Sequence, residues 1–189
     1  MALTFSTGVS MPTEPERVDP ETTAASGNES EATDTGEADT EASEATDDSS
    51  ESEDASSEHF AVGETVKMGD VQFTVNSAHW DTGGEFAQPD PGTQWLLIDA
   101  TLENTSSESA QISSMLMFKL MDEQGYSRDM SLIADTKGSL DGELGADQMM
   151  RGQLAYVVDE GQTQWELIFE PNVFGSGQAR YVITADQVQ

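Results

Sequence analysis

The sequence predicts an all-β fold, a sandwich or barrel of about seven or eight strands. Three observations point there. Short apolar segments repeat with period two, turns rich in Gly, Pro, Asp and Asn separate them, and no apolar stripe with helical spacing runs for as much as about ten residues. Residues 60–189 carry this pattern, a length ample for one core.

The stretch QWLLIDATLENTS, residues 94–106, organises the rest. Leu96, Ile98, Ala100 and Leu102 share one face of an extended strand, and Trp95, Leu97, Asp99 and Thr101 share the other. Such a strand is covered on both faces at its start and on one face later. Ahead of it, order begins near Phe60, with a turn at Gly63, a short strand around Thr65–Met68 and a turn at Gly69–Asp70. Val71, Phe73 and Val75 then alternate with polar residues as a half-buried antiparallel strand. Residues 81–93, DTGGEFAQPDPGT, read as loop.

Beyond the organising strand, the run Ile112–Met121 reads as a strand with Leu116, Phe118 and Leu120 on one face and Met115, Met117, Lys119 and Met121 on the other. DEQG, residues 122–125, is a hairpin-type turn in which Gly125 can take positive φ, and Tyr126 begins a short return. Residues 131–148 read mostly as loop. Leu154, Tyr156 and Val158 mark the next strand and Asp159–Gly161 a turn. Trp165, Leu167 and Phe169 mark another strand, and Arg180–Thr184 the last.

Residues 12–59 differ in kind. They are a low-complexity tract of Glu, Asp, Ser, Thr, Ala and Gly with seventeen acids and a single base, Arg17. Such a segment buries too little apolar surface to offset its ordering entropy, so residues 1–59 are expected to be a disordered acidic linker. A tether is the functional reading, a solvating tail the plain one, and a tract that chelates calcium weakly a minor third.

The formal net charge is −30, and only seven Lys and Arg are present. Nucleic-acid binding rests on neutralising phosphates with basic side chains, so this composition disfavours it, and anionic lipid surfaces are disfavoured likewise. Cations and basic partner proteins are the electrostatically permitted company. The excess of acid on the folded part suits a high-salt medium, where repulsion is screened. The absence of Cys excludes disulfides, thiolate metal sites and thiol catalysis. No stretch approaches the roughly 20 apolar residues that span a bilayer. MALTFSTGVS lacks the positive region of a secretion signal.

Four segments together resemble a bacterial family of unknown function. GETVKMGDVQFTV (63–75) resembles its opening hairpin, and GTQWLLIDATLENTSSE (92–108) its signature strand with a following Asn and polar turn. FKLMDEQG (118–125) resembles its strand ending in an acid and Gly, and LGADQMMRGQLAYVVDEG (144–161) the strand pair near its end. The resemblance covers about residues 62–184. It implies an immunoglobulin-like sandwich related in fold to the mycobacterial immunoprotective extracellular protein. The family's label borrows the name of a telomeric repeat-binding factor, which the acidity of this chain argues against. Members are typically secreted or lipid-anchored with a polar linker, so the resemblance implies an extracytoplasmic location and a leader removed ahead of this start. There is no Cys here to carry a lipid. The family brings no catalytic residues with it.

Candidate chemistry is sparse. Of the two histidines, His59 sits at the edge of the acidic tract and His79 at a strand end beside Trp80, with no Gly-x-Ser-x-Gly elbow, so no catalytic residue is expected and the chain reads as a non-enzyme. Two isolated His without Cys make a zinc site improbable. For calcium, Asp141, Glu143 and Asp147 share one Gly-rich loop, and Asp81, Glu85 and Asp90 another, though neither has EF-hand spacing. Met115, Met117, Met121, Met149 and Met150 raise Cu(I), against plain packing. Trp80, Trp95 and Trp165 fit strand packing or could line a ligand groove. No cofactor or metal-ligand set is assigned. The expected function is a non-catalytic extracytoplasmic module binding a protein or envelope partner, with a calcium- or copper-responsive domain as the alternative.

Overall fold

The computed structural model describes residues 14–18, 59–171 and 177–189. The expected disorder of the acidic tract falls on residues outside these, apart from 14–18. The strands are β1 (Glu16–Val18), β2 (His59–Ala61), β3 (Thr65–Met68), β4 (Val71–Asp81), β5 (Thr93–Asn104) and β6 (Ala110–Ile112). After a helical turn α1 (Ser114–Met117) come β7 (Phe118–Asp122), β8 (Ser127–Arg128), β9 (Gly142–Leu144), β10 (Met149–Asp159), β11 (Gln164–Phe169) and β12 (Ala179–Thr184). The fold is an all-β sandwich. One sheet runs β1-β3-β4-β5-β10 and the other β2-β12-β11-β7-β8, with β6 and β9 as a separate pair. All pairings are antiparallel except β2 with β12.

The organising strand is central, between β4 and β10. Residues 95–98 are buried on both faces, and beyond them burial alternates. Leu96, Ile98, Ala100 and Leu102 face the second sheet, because their period-two spacing puts every apolar side chain on that side. On β4 the inward set shifts from Val71, Phe73 and Val75 to Ala78, because a bulge absorbs one residue between Val75 and Ser77. Phe73 joins the sheets. Its ring centroid lies 4.6 Å from Phe169, 5.0 Å from Phe118 and 5.3 Å from Tyr181, the last edge-on. Such aromatic contacts add to the gain from burial itself.

Two expectations need correcting. The strand expected over Ile112–Met121 begins only at Phe118. The Asp141 carboxylate accepts from the Ser114 N–H at 2.8 Å and from its hydroxyl, which holds residues 114–117 in a helical turn and leaves Met115 and Leu116 exposed. Three residues placed in the linker, Glu16–Val18, instead form an edge strand on β3. More strands form than expected because β1, β2, β6, β8 and β9 are too short for a periodic signal to show.

Two buried tyrosines differ in how they are satisfied. The Tyr181 hydroxyl reaches the carbonyls of Phe73 at 2.8 Å and Glu64 at 2.9 Å. The Tyr156 hydroxyl, on a residue 1% exposed, meets no hydrogen-bond partner. Burial pushes the pKa of both phenols well above the usual tyrosine value, so both stay neutral. Removing a buried hydroxyl that has no partner relieves a desolvation cost, whereas removing a satisfied one strands its acceptors. Tyr156→Phe is therefore expected to keep or raise stability, by up to about 1 kcal/mol, and Tyr181→Phe to lower it by about as much. Urea unfolding of the two variants checks this, and equal losses would contradict it.

Candidate functional site: an acidic cleft over Trp95

On the outer face of β5, Trp95 and Leu97 are buried although nothing from the second sheet lies on that side. Their cover comes from loops. From one side the β4–β5 loop folds over Trp95. The Asp81 carboxylate accepts the Gly83 N–H at 2.7 Å, and the Gly84 N–H donates to the Ala87 carbonyl at 2.8 Å. Gly83 has φ of +80°, and a Cβ there would lie 2.3 Å from the Ala87 oxygen, so the turn requires glycine. From the other side the chain after β8 runs along the free edge of β10. Val157 donates to the Asp129 carbonyl at 2.9 Å and Ser131 to the Ala155 carbonyl at 2.7 Å.

That second loop is seated by a close backbone crossing. A Cβ on Gly152 would lie 2.7 Å from the Ser139 carbonyl carbon and 3.0 Å from the Leu140 nitrogen. Leu140 beside it is a core residue. Gly152→Ala must push the 139–140 backbone outward and is expected to cost about 2 kcal/mol, the scale of an overpacked core. Hydrogen exchange of the Ser131 and Val157 amides should rise selectively, and unchanged protection would show that the crossing does not seat the loop.

Between the two loops lies a cleft of about 460 Å³, floored by Trp95. Phe86, 99% exposed, and Ile133 stand at its walls, with Asp81, Glu85 and Asp135 around them. No Lys or Arg lines it. The arrangement is apolar surface ringed by carboxylates, suited to a group with a positive charge on an apolar stem. No partnered base or activated nucleophile lines it.

The other residues singled out in the sequence do not converge. Among the described residues no group of three or more His, Cys, Asp or Glu could hold a metal ion. The calcium reading of the two acidic loops gains no support from this arrangement. Asp141 is engaged with Ser114, Glu143 lies on β9, and Asp147 takes a left-handed φ of 54° in the next turn. In the other loop Asp81 caps Gly83 and the Asp90 backbone holds Thr93. The copper reading fares no better. Met121 is on β7 of one sheet, Met149 and Met150 on β10 of the other, and Met115 and Met117 on α1. His59 meets Glu166 at 2.9 Å on the surface. His79 meets the Ser77 hydroxyl at 2.9 Å, a contact between side chains two apart on the outer face of β4. Trp165 is buried and Trp80 packs edge-on to it at 5.5 Å, so these two tryptophans pack with the core, while Trp95 lies under the cleft between the loops. The sequence reading missed Phe86 and Ile133, whose exposure beside a buried Trp depends on how two unpatterned loops close.

No curated protein matches the chain. Solved structures do. The yjhA protein of Bacillus subtilis is 21% identical over 66% of this chain and 98% of its own, with a TM-score of 0.50, which shows a shared fold. The ycdA protein of the same organism, a candidate lipoprotein, is 19% identical with a TM-score of 0.49; the match covers 61% of this chain and only 37% of that one. The secreted protein MPT63 of Mycobacterium tuberculosis is 13% identical with a TM-score of 0.41, over 61% of this chain and 82% of its own. Neither the immunoprotective kinship nor the telomeric name comes with these matches. A family model, "Domain of unknown function (DUF4352)", matches residues 60–180, and the chain belongs to that family.

Proposed function

We propose that the chain is a non-catalytic binding module, displayed outside the cytoplasm on its acidic tract, that receives a cationic side chain of a partner in the cleft over Trp95. The carrying observation is the cleft itself, with its aromatic floor, exposed Phe86 and Ile133, and the carboxylates of Asp81, Glu85 and Asp135. A cation on an apolar stem gains there from the exposed Phe86 ring and from the carboxylates, above a Trp95 that is only 2% exposed. The display reading draws on the composition of residues 12–59 and on the words lipoprotein and secreted attached to ycdA and MPT63. No helix among the described residues is long and apolar enough to cross a membrane, and the reading places none there. The acidity of the surface fits a high-salt medium, which would confine ion pairing to such sheltered clefts.

The test is titration of the full chain with an acetylated peptide of alternating lysine and leucine, followed by amide and indole resonances. Shifts are expected to gather at residues 83–87, at the Trp95 indole and at residues 133–135, and to vanish in Glu85→Lys/Asp135→Lys. Shifts spread evenly over the acidic surface, or surviving in the double variant, would overturn the reading.

A further inference from the structure

The outer edge of β3 offers a second surface, independent of the cleft. Its occupant in this structure is β1, which pairs Glu16 with Lys67, Arg17 with Val66 and Val18 with Thr65. Residues 19–58 separate this strand from β2 in the sequence. Without β1 the first sheet still has four strands, and β3 becomes an open edge whose backbone groups are free to pair. Glu16 and Arg17 are exposed and Val18 is half-buried, and beside the backbone pairing one side chain marks the strand.

That side chain is Arg17, the single base among the seventeen acids of residues 12–59. Its guanidinium pairs with the Glu64 carboxylate, reaches the His59 carbonyl at 3.5 Å and lies 5.1 Å from the centre of the Phe60 ring. The receiving groups are held without it. Glu64 Oε2 accepts the Ala61 N–H at 2.6 Å, and the Glu64 carbonyl accepts from the Tyr181 hydroxyl at 2.9 Å. The carboxylate is thus set by its own turn, beside a buried aromatic ring and a strand edge. That combination recognises an arginine in an extended chain, the backbone supplying affinity and the guanidinium supplying choice.

We propose that the β3 edge is a strand-addition site that reads arginine, that Glu16–Val18 is its resident and displaceable occupant, and that its ligand is an extended segment of a partner protein carrying an arginine followed by a β-branched residue, as Val18 follows Arg17. The strap keeps the edge covered until a segment of that chemistry competes for it, which also protects an acidic, displayed domain from indiscriminate edge pairing.

The test uses the full chain, its Arg17→Glu variant and, because a glutamate there also repels Glu64, Arg17→Ala. The probe is the acetylated peptide TTVRVTT, with TTVKVTT and TTVEVTT as controls, and the readout is the amide resonances of Thr65, Val66 and Lys67. Both variants are expected to bind TTVRVTT about threefold or more tightly than the wild type, because an edge mostly closed by its strap loses that fraction of its affinity. The lysine peptide, equal in charge, should bind more weakly and the glutamate peptide not at all. The proposal fails if the β3 amides do not move at millimolar peptide, if arginine and lysine peptides bind alike, or if wild type and variants are equal. It fails too if wild type self-associates through residues 14–18, since the occupant is then a second copy.

Discussion

Asn104→Ala is expected to cost the domain about 3 kcal/mol, a fall in Tm on the order of 10 °C. Asn104 ends β5 and is completely buried, at 0% exposure. Its amide nitrogen donates to the carbonyls of Glu108 at 2.7 Å, Leu144 at 3.1 Å and Gly145 at 3.1 Å. Its amide oxygen accepts the Ser106 N–H at 3.0 Å and hydroxyl at 2.9 Å. One side chain thereby closes the turn after β5 and fastens it to the end of β9. Alanine leaves these backbone groups facing a void, and each buried polar group left unpaired costs about 1–3 kcal/mol unless the turn opens to water. Either way the β6–β9 pair, held by three residue pairs, loses its anchor. Asn104→Asp discriminates between lost hydrogen bonds and lost volume. The carboxylate keeps the bonds to Ser106 but turns an acceptor toward three carbonyls, so at neutral pH it should be no better than alanine and should recover when acid protonates it. Urea unfolding at pH 7 and pH 4 reads this directly. Wild-type stability in Asn104→Ala would show that solvent satisfies the turn.

The legibility of these features follows their range along the chain. β5 was readable because its alternation and its continuous apolar start are local facts, and both burial regimes of the strand follow from them. Asn104 was readable only as a residue before a polar turn. Its partners at 144 and 145 become neighbours through the fold. The helical turn at Ser114–Met117 was not readable, because what holds Ser114 is a carboxylate at position 141. The cleft escaped for a related reason. Trp95 lies in a clear strand, yet whether an outward tryptophan is solvated, covered or grooved depends on loops that Gly83 and Gly152 shape without any periodic signal. β1 is a three-residue strand inside a low-complexity acidic tract, and its one distinguishing mark was a lone arginine.

The second large effect lies where the sheets close, at Asp122. Its carboxylate accepts the N–H groups of Gln124 at 2.9 Å and Tyr126 at 2.8 Å, shaping the β7–β8 turn. It also pairs with Arg128 and accepts from Gln162 Nε2 at 3.1 Å. Arg128 reaches on to Asp159 at 2.7 Å, at the end of β10 in the other sheet, and Gln162 Oε1 accepts the Trp165 indole N–H at 3.2 Å. One carboxylate thus ties β7, β8, β10 and β11 together. Burial by itself would raise its pKa, but the hydrogen bonds from Tyr126, Arg128 and Gln124 and the charge of Arg128 outweigh that and hold it below the usual 3.8. Because the folded value is the lower one, the unfolded chain takes up this proton first. The stabilisation is complete above about pH 5 and is lost as pH falls through the ordinary carboxylate value toward the depressed one. The net charge of −30 works the other way, since protonating the many exposed acids relieves their mutual repulsion. The quantity to measure is therefore the stability difference between wild type and Asp122→Asn, followed by urea unfolding from pH 7 to pH 3 at fixed ionic strength. Asparagine keeps the shape but offers donors where Arg128 and Gln162 donate, so its deficit should be large at pH 7 and should narrow steadily below about pH 5. A deficit constant with pH would mean that the loss is one of packing, and that the charge on Asp122 does not hold the two sheets together.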